Sequence, residues 1–131
     1  MRRARILVVD DEPDIRTVCR LALETLGGFD VATCSGGAEA LVYLEQWPAE
    51  LVLLDVMMSA GDGLSTLATL KGMAAPAPRV VMLTARAQAQ EIESYLAAGA
   101  DAVIEKPFDP RSLCKRIEEI LARGGSPSSG L

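Results

Sequence analysis

Five polar residues of this 131-residue chain stand where apolar runs end. Asp10 and Asp11 follow Arg5–Val9, Asp55 follows Leu51–Leu54, Thr84 follows Val80–Leu83, and Lys106 lies just past Ala102–Ile104. One aspartate after a strand usually serves a turn, and a Lys-Pro pair is usually a solvated loop. Polar groups at four such ends point to something else. If the runs are parallel strands of one sheet, their carboxyl ends share an edge, and ligands bind beyond that edge in open parallel sheets. Three carboxylates gathered there repel one another. Either one of them holds its proton or a cation sits among them. Few, hard oxygen ligands suit Mg²⁺, which keeps several waters and shares phosphate oxygens. An ammonium and a hydroxyl beside it suit a phosphoryl group, whose transfer needs little beyond positioning and charge stabilisation. Asp55 is then the in-line nucleophile that becomes an aspartyl phosphate. The metal rests on Asp10 or Asp11, on Asp55, and on a main-chain carbonyl of the following loop.

The elements that must position these groups are legible as patterns. Leu51–Leu54 and Val80–Leu83 are apolar without alternation, which suits strands buried on both faces. Arg5–Val9 is a third strand, Phe29–Thr33 a partly alternating fourth, and Ala102–Ile104 the last. Pro13 opens a helix whose apolar residues Ile15, Val18, Ala22 and Leu26 recur at helical spacing, and Gly27-Gly28 stops it. Ser35 is placed to cap a second helix with the stripe Ala38, Leu41, Val42 and Leu44, ended by Pro48. Val56–Gly63 reads as a loop, and Leu64, Leu67 and Leu70 mark a third helix. Ile92, Tyr95 and Leu96 place a fourth helix, closed by Gly99. Asp109 caps a fifth, with Pro110 in its first turn and Leu113, Ile117, Ile120 and Leu121 inward. Five strands alternating with five helices predict an α/β fold, a doubly wound parallel sheet with helices on both faces. The predicted domain spans 1–123. Residues 124–131, rich in Gly, Ser and Pro, have the composition of a flexible tail.

Composition removes several classes of function. The chain contains no histidine, so Ser-His-Asp and Cys-His catalysis are excluded within one chain. The three cysteines show no CxxC spacing, which argues against zinc and fits apolar fillers in a reducing compartment. A net charge of -5 argues against nucleic acid as a direct partner, and Arg2-Arg3-Arg5 is too short to reverse that. No apolar run reaches membrane-span length and no signal region opens the chain, so no membrane partner and a cytoplasmic location are expected.

From about Arg5 to Arg123 the chain resembles the receiver domains of two-component response regulators, including those of chemotaxis regulators. The resemblance rests on LVVDDEPDI (Leu7 to Ile15), LVLLDVMM (Leu51 to Met58) with Asp62-Gly63, VVMLTA (Val80 to Ala85), GAD (Gly99 to Asp101) and EKPF (Glu105 to Phe108). It implies a flavodoxin-like sheet of five parallel strands in the order 2-1-3-4-5. It implies that Asp55 accepts a phosphoryl group from the histidine of a sensor kinase or phosphotransfer protein, with Mg²⁺. Asp11 is then a direct metal ligand, Asp10 a ligand through water, and the Met57 carbonyl a third. Thr84 and Lys106 contact the phosphoryl group, and backbone N–H groups of Met57 and Ala85 complete its cradle. Such a domain is a signalling module, not an enzyme, catalysing only its own phosphorylation and dephosphorylation. It relays to a downstream protein. The fourth helix, last strand and fifth helix form the family's usual output and homodimer face, with Tyr95, Leu96, Arg111 and Lys115 as candidates here.

The sequence departs from that pattern in two places. Members usually carry, three residues before the lysine, an aromatic that swings inward as the threonine moves. Val103 stands there, stiff and without a hydroxyl, so that relay loses its second member and output falls to the backbone or the Thr84 loop. Ser59 stands where a proline is common, which predicts a looser loop on the same path. Met57 and Arg86 flank the phosphoryl position and are expected to give a moderately long-lived phosphoryl form. Two other readings fail on chemistry. A phosphatase of the haloacid-dehalogenase type needs an aspartate where Met57 stands, and a flavin carrier would not place Asp10-Asp11-Glu12 against a phosphate. A phosphorylation-independent docking module remains as the alternative function.

Overall fold

A computed structural model describes residues 4–58, 61–73, 77–85 and 88–123. The expected tail 124–131, Ser59 and Arg86 lie outside the described residues, as do the side chains of 57, 58, 61 and 62. Five strands form one sheet: β1 (Arg5–Val9), β2 (Asp30–Cys34), β3 (Leu51–Asp55), β4 (Arg79–Thr84) and β5 (Ala102–Glu105). All neighbours run parallel, in the order β2-β1-β3-β4-β5, which is the expected 2-1-3-4-5 arrangement. The helices are α1 (Pro13–Leu21), continued by a π-turn (Ala22–Leu26), then α2 (Gly37–Gln46), α3 (Gly63–Lys71), α4 (Ala89–Ala97) and α5 (Pro110–Ala122).

Alternate residues of the inner strands feed two cores. Ile6, Val8, Leu51, Leu53, Val81 and Leu83 pack with α1 and α5 through Cys19, Leu23, Leu113 and Ile117. Leu7, Val9, Val52, Leu54, Val80 and Met82 pack on the other face with α2, α3 and α4 through Ala40, Leu44, Leu67, Leu70 and Tyr95. That explains the unbroken apolar runs, since both faces of β3 are covered. Full burial of one such side chain is worth about 1.5–3 kcal/mol, so β3 alone can offset the cost of carrying a carboxylate at its end.

Register sets the geometry of the site. Val9 pairs with Leu54, so Asp10 is level with Asp55. Asp55 pairs with Leu83 and Thr84 with Glu105, so Thr84 and then Lys106 each stand one residue further along the edge.

Several local expectations need correction. β2 begins one residue later than predicted, because the Phe29 amide donates to the Leu23 carbonyl and so belongs to the helix end. Along α1 and the π-turn, Ala22 is buried and Ile15 packs on the core as expected, Cys19 and Leu23 are buried too, and Val18 and Leu26 are exposed. The π-turn carries an extra residue and rotates Leu26 outward. Gly28, with φ 70°, then turns the chain into β2. In α2, Ala40 and Leu44 are buried, whereas Val42 is 65% exposed and Ala38 is exposed too. Ser35 does not cap that helix. Gly36 occupies the cap, and the Glu39 carboxylate reaches back to the Ser35 amide (2.7 Å) and hydroxyl (2.9 Å). Leu64 of α3 is exposed, with Leu67 and Leu70 inward. The expected loop after Asp55 contains a short antiparallel ribbon, Met57–Met58 against Gly61–Asp62. Asp109 caps α5 as expected, its carboxylate accepting from the Ser112 amide at 3.0 Å. The single tryptophan, Trp47, lies under the Arg5 guanidinium, 5.3 Å from its ring centroid, and 5.6 Å from the Tyr43 ring.

Candidate active site at the carboxyl edge of the sheet

The strand ends bring Asp10, Asp11, Asp55, Thr84 and Lys106 to one edge. Asp10 is fully buried, and Asp55 and Thr84 are nearly so. Asp10 is held from three sides. Its amide donates to the Cys34 carbonyl, its Oδ1 accepts from the Glu12 amide at 2.9 Å, and its carbonyl accepts from Arg16 Nη1 at 2.7 Å. Its Oδ2 lies 3.2 Å from Lys106 Nζ. The same ammonium lies 3.2 Å from Asp55 Oδ1 and 3.5 Å from Glu12 Oε1. Burial alone would lower the Lys106 pKa. The Asp10 and Asp55 carboxylates outweigh it and raise the pKa above the ordinary lysine value.

Carboxylate oxygens of Asp10, Asp11 and Asp55 lie within 4.8 Å of one another. Three carboxylates against the single ammonium of Lys106 leave an excess of two negative charges, which one divalent cation balances. The donor set is all oxygen and small, so these residues fit Mg²⁺ by both charge and hardness.

Asp55 is positioned by backbone on two sides. Beyond it, the Val56 amide donates to the Leu83 carbonyl (2.9 Å) and extends the β3–β4 ladder, and the Gly63 amide donates to the Val56 carbonyl (3.1 Å). A Cβ on Gly63 would lie 2.7 Å from Val56 Cα and 2.8 Å from the Asp55 carbonyl oxygen. Helix α3 therefore starts tight against the nucleophile's own peptide, and only glycine allows it. The sequence placed Gly63 in a loop and, with Asp62, in a motif of the resemblance, but gave no sign of this close packing.

Thr84 is tied to Lys106 by the backbone, the Lys106 amide donating to its carbonyl at 2.7 Å. Ala85 follows β4 directly, at this same edge. Tyr95 is not on the surface, contrary to its reading as an output-face residue. It is buried under α4 and shares a side-chain hydrogen bond with Thr84. Burial and then the Glu91 carboxylate raise its pKa, against the smaller opposing effect of that bond. Neighbouring helix positions point about 100° apart, so Tyr95 and Leu96 could not share one face; Leu96 is the exposed one. Glu12 and Arg16 also escaped the sequence reading. Their signal was proximity to Asp10-Asp11 at the start of α1.

Residues 6–118 match the family model of the response regulator receiver domain. The chain belongs to this family. It is 41% identical over 128 residues to a Transcriptional regulatory protein CpxR homolog of Haemophilus influenzae, covering 98% of this chain and 55% of that protein. It is 39% identical over 127 residues to the Alkaline phosphatase synthesis transcriptional regulatory protein PhoP of Bacillus subtilis, covering 95% of this chain and 52% of that protein. The fold matches the Francisella response regulator 1452 receiver domain with TM-score 0.84 and 26% identity, over 93% of this chain and 99% of that one. The chain thus spans about half the length of the curated relatives it matches. As a receiver domain it is a signalling module of two-component systems, whose response regulators interact with histidine kinases or phosphotransfer proteins. Among the described residues no helix is long and apolar enough to cross a membrane.

Proposed function

We propose that this receiver takes a phosphoryl group onto Asp55 from a phosphohistidine of a partner kinase or phosphotransfer protein, in a Mg²⁺-dependent reaction. The observation that carries the reading is the ammonium of Lys106 held between Asp10 and Asp55 beside a third carboxylate. A carboxylate oxygen of Asp55 forms a bond to phosphorus as the bond from phosphorus to the partner's imidazole nitrogen breaks, and the imidazole leaves with the electron pair. Lys106 stands at Asp55 Oδ1 and neutralises charge on the incoming oxygens. The Thr84 hydroxyl donates to one of those oxygens, and the backbone N–H groups of Met57 and Ala85 donate to others. Asp10, Asp11, Asp55 and the Met57 carbonyl would hold Mg²⁺, which supplies positive charge to the phosphoryl oxygens. Asp11 is read as a direct ligand and Asp10 as one acting through water. Hydrolysis of the acyl phosphate by the same site returns the domain to rest.

Residues 1–123 are the receiver unit in this reading. A cytoplasmic location follows from the kinase partner. The face of α4, β5 and α5, where Leu96, Arg111 and Lys115 are exposed, is the surface for a downstream protein or a second copy. Convergence of every acceptor residue on one edge speaks against a phosphorylation-independent docking module. The test is acetyl phosphate with Mg²⁺ followed by intact mass. One adduct of about 80 Da on the wild type and none on Asp55→Asn supports the reading. A folded wild type that binds Mg²⁺ and gains no adduct sinks it and favours the docking module.

A further inference from the structure

Thr84 belongs to two places at once. It stands at the acceptor edge, and by strand alternation it shares the face of Val80 and Met82, the face that α4 covers. On β5, Val103 pairs with Met82 and packs against that same cluster. A valine is small and has no hydroxyl, so β5 offers Thr84 no polar partner there. Helix α4 offers one instead. Tyr95, buried in this cluster, reaches Thr84 with its phenol. One turn earlier on α4, Glu91 carries a buried carboxylate oxygen, Oε1, with no hydrogen-bond partner among the described residues. Positions four apart lie on one face of a helix. The Tyr95 hydroxyl therefore has one partner in hand and one acceptor waiting.

We propose that Tyr95 reports the state of the acceptor site to α4 by exchanging its hydrogen-bond partner from Thr84 to Glu91. The proposal rests on the reading that Thr84 turns to a phosphoryl group on Asp55. When the Thr84 hydroxyl is recruited to that group, the phenol loses that partner and its O–H turns to donate to Glu91 Oε1. Both end states are hydrogen-bonded, so the element has two discrete arrangements and not a continuum. The exchange ties two successive turns of α4 to each other, and the message leaves through α4. Val103 fits this scheme, because its small side chain leaves the approach to Thr84 open to the tyrosine. Tyr95 acts through Thr84 and is a positioning residue.

The test pairs two readouts on wild type, Tyr95→Phe and Glu91→Leu, each treated with acetyl phosphate and Mg²⁺. Intact mass reads acceptor chemistry. Amide hydrogen exchange over 89–97 reads α4. We expect all three proteins to gain the adduct to within twofold of one another. We expect exchange in wild-type α4 to slow at least threefold on phosphorylation, and that difference to vanish in Tyr95→Phe and to fall at least twofold in Glu91→Leu. A purely packing role for the ring would leave the phosphorylation-dependent difference in Tyr95→Phe, and that result overturns the relay. So does a wild type that gains the adduct with no change in α4. A wild type that gains no adduct instead overturns the acceptor reading, and the relay with it. Glu91→Leu, which has no acceptor, keeps the question open to decision should Tyr95→Phe melt early, since a full response in Glu91→Leu also overturns the exchange.

Discussion

The two ends of the sheet carry similar numbers of charged groups and use them in opposite ways. At the amino end charged residues mostly close local contacts, although Arg5 Nε, 3.9 Å from Asp30 Oδ2, makes no hydrogen bond among the described residues. The Arg5 amide donates to Glu50 Oε1 at 3.1 Å, while the Glu50 amide returns a bond to the Arg5 carbonyl. Arg79 Nη1 donates to the Ile120 carbonyl at 2.7 Å and closes the last turn of α5. Asp101 Oδ2 accepts from the Val80 amide at 2.8 Å and from Lys71 Nζ at 3.2 Å. At the carboxyl end, Asp10 and Asp55 share the ammonium of Lys106, which also meets Glu12, and Asp11 adds a third carboxylate to the Asp10–Asp55 cluster. One end spends charge on closing the fold. The other holds an imbalance that a cation and a phosphoryl group would relieve, and binding energy can be drawn from that imbalance.

The sharpest way to break this contrast is to substitute one acid at each end. Asp55→Asn is expected to abolish the phosphoryl adduct completely while the domain stays folded. Asp101→Asn at the other end should leave the adduct at the wild-type level. Adduct surviving in Asp55→Asn, seen by intact mass, would place the acceptor elsewhere. Next in size is Gly63→Ala, where the new Cβ meets the Asp55–Val56 backbone. A loss of about 2 kcal/mol in urea unfolding is expected, with the adduct reduced because the nucleophile's own peptide must shift.

Lys106→Met sharpens the electrostatic half of the contrast. It leaves the carboxylates unbalanced, so the melting temperature should drop without divalent cation and recover with Mg²⁺. Mg²⁺ affinity should rise on the order of tenfold over wild type by calorimetry, since no ammonium then competes. The pH dependence has a definite sign. The folded pKa of Lys106 is raised, so its stabilising contribution is complete below the unfolded lysine value of about 10.4 and is lost as pH climbs through the folded value. Wild type should therefore lose more stability above about pH 10 than Lys106→Met does in denaturant titrations. The smallest effect belongs to Arg79→Ala. It removes one charge-assisted bond at the amino end, costing about 1 kcal/mol with no response to Mg²⁺. A Mg²⁺-dependent deficit in that variant would blur the distinction between the ends.

The carboxyl end was legible in the sequence because its signals are strictly local. Four apolar residues followed by Asp55 state a buried strand and its end, and the same holds for Val80–Leu83 before Thr84. Asp109-Pro110 announced its own helix. Helix faces were read less well. In α2 the apolar Val42 is largely exposed while the small Ala40 is fully buried, so residue type alone misplaced the inward stripe. In α1 the π-turn breaks the periodicity on which the stripe was read. Tyr95 was missed for a tertiary reason. It is buried in a cluster with Val80 and Met82 of β4, against which Val103 of β5 also packs, and spacing within α4 carries no trace of those strands.

The placement of Trp47 has a practical consequence. The chain's single indole stacks beneath Arg5 at the start of β1, with Tyr43 close enough to pass excitation to it. It sits at the far end of the molecule from Asp55. Its emission will report loss of the fold faithfully and stay quiet while the acceptor site fills and empties. Optical titrations of Mg²⁺ or phosphoryl donors need a dye introduced near α4, and the native fluorophore then serves as the internal standard for an intact domain.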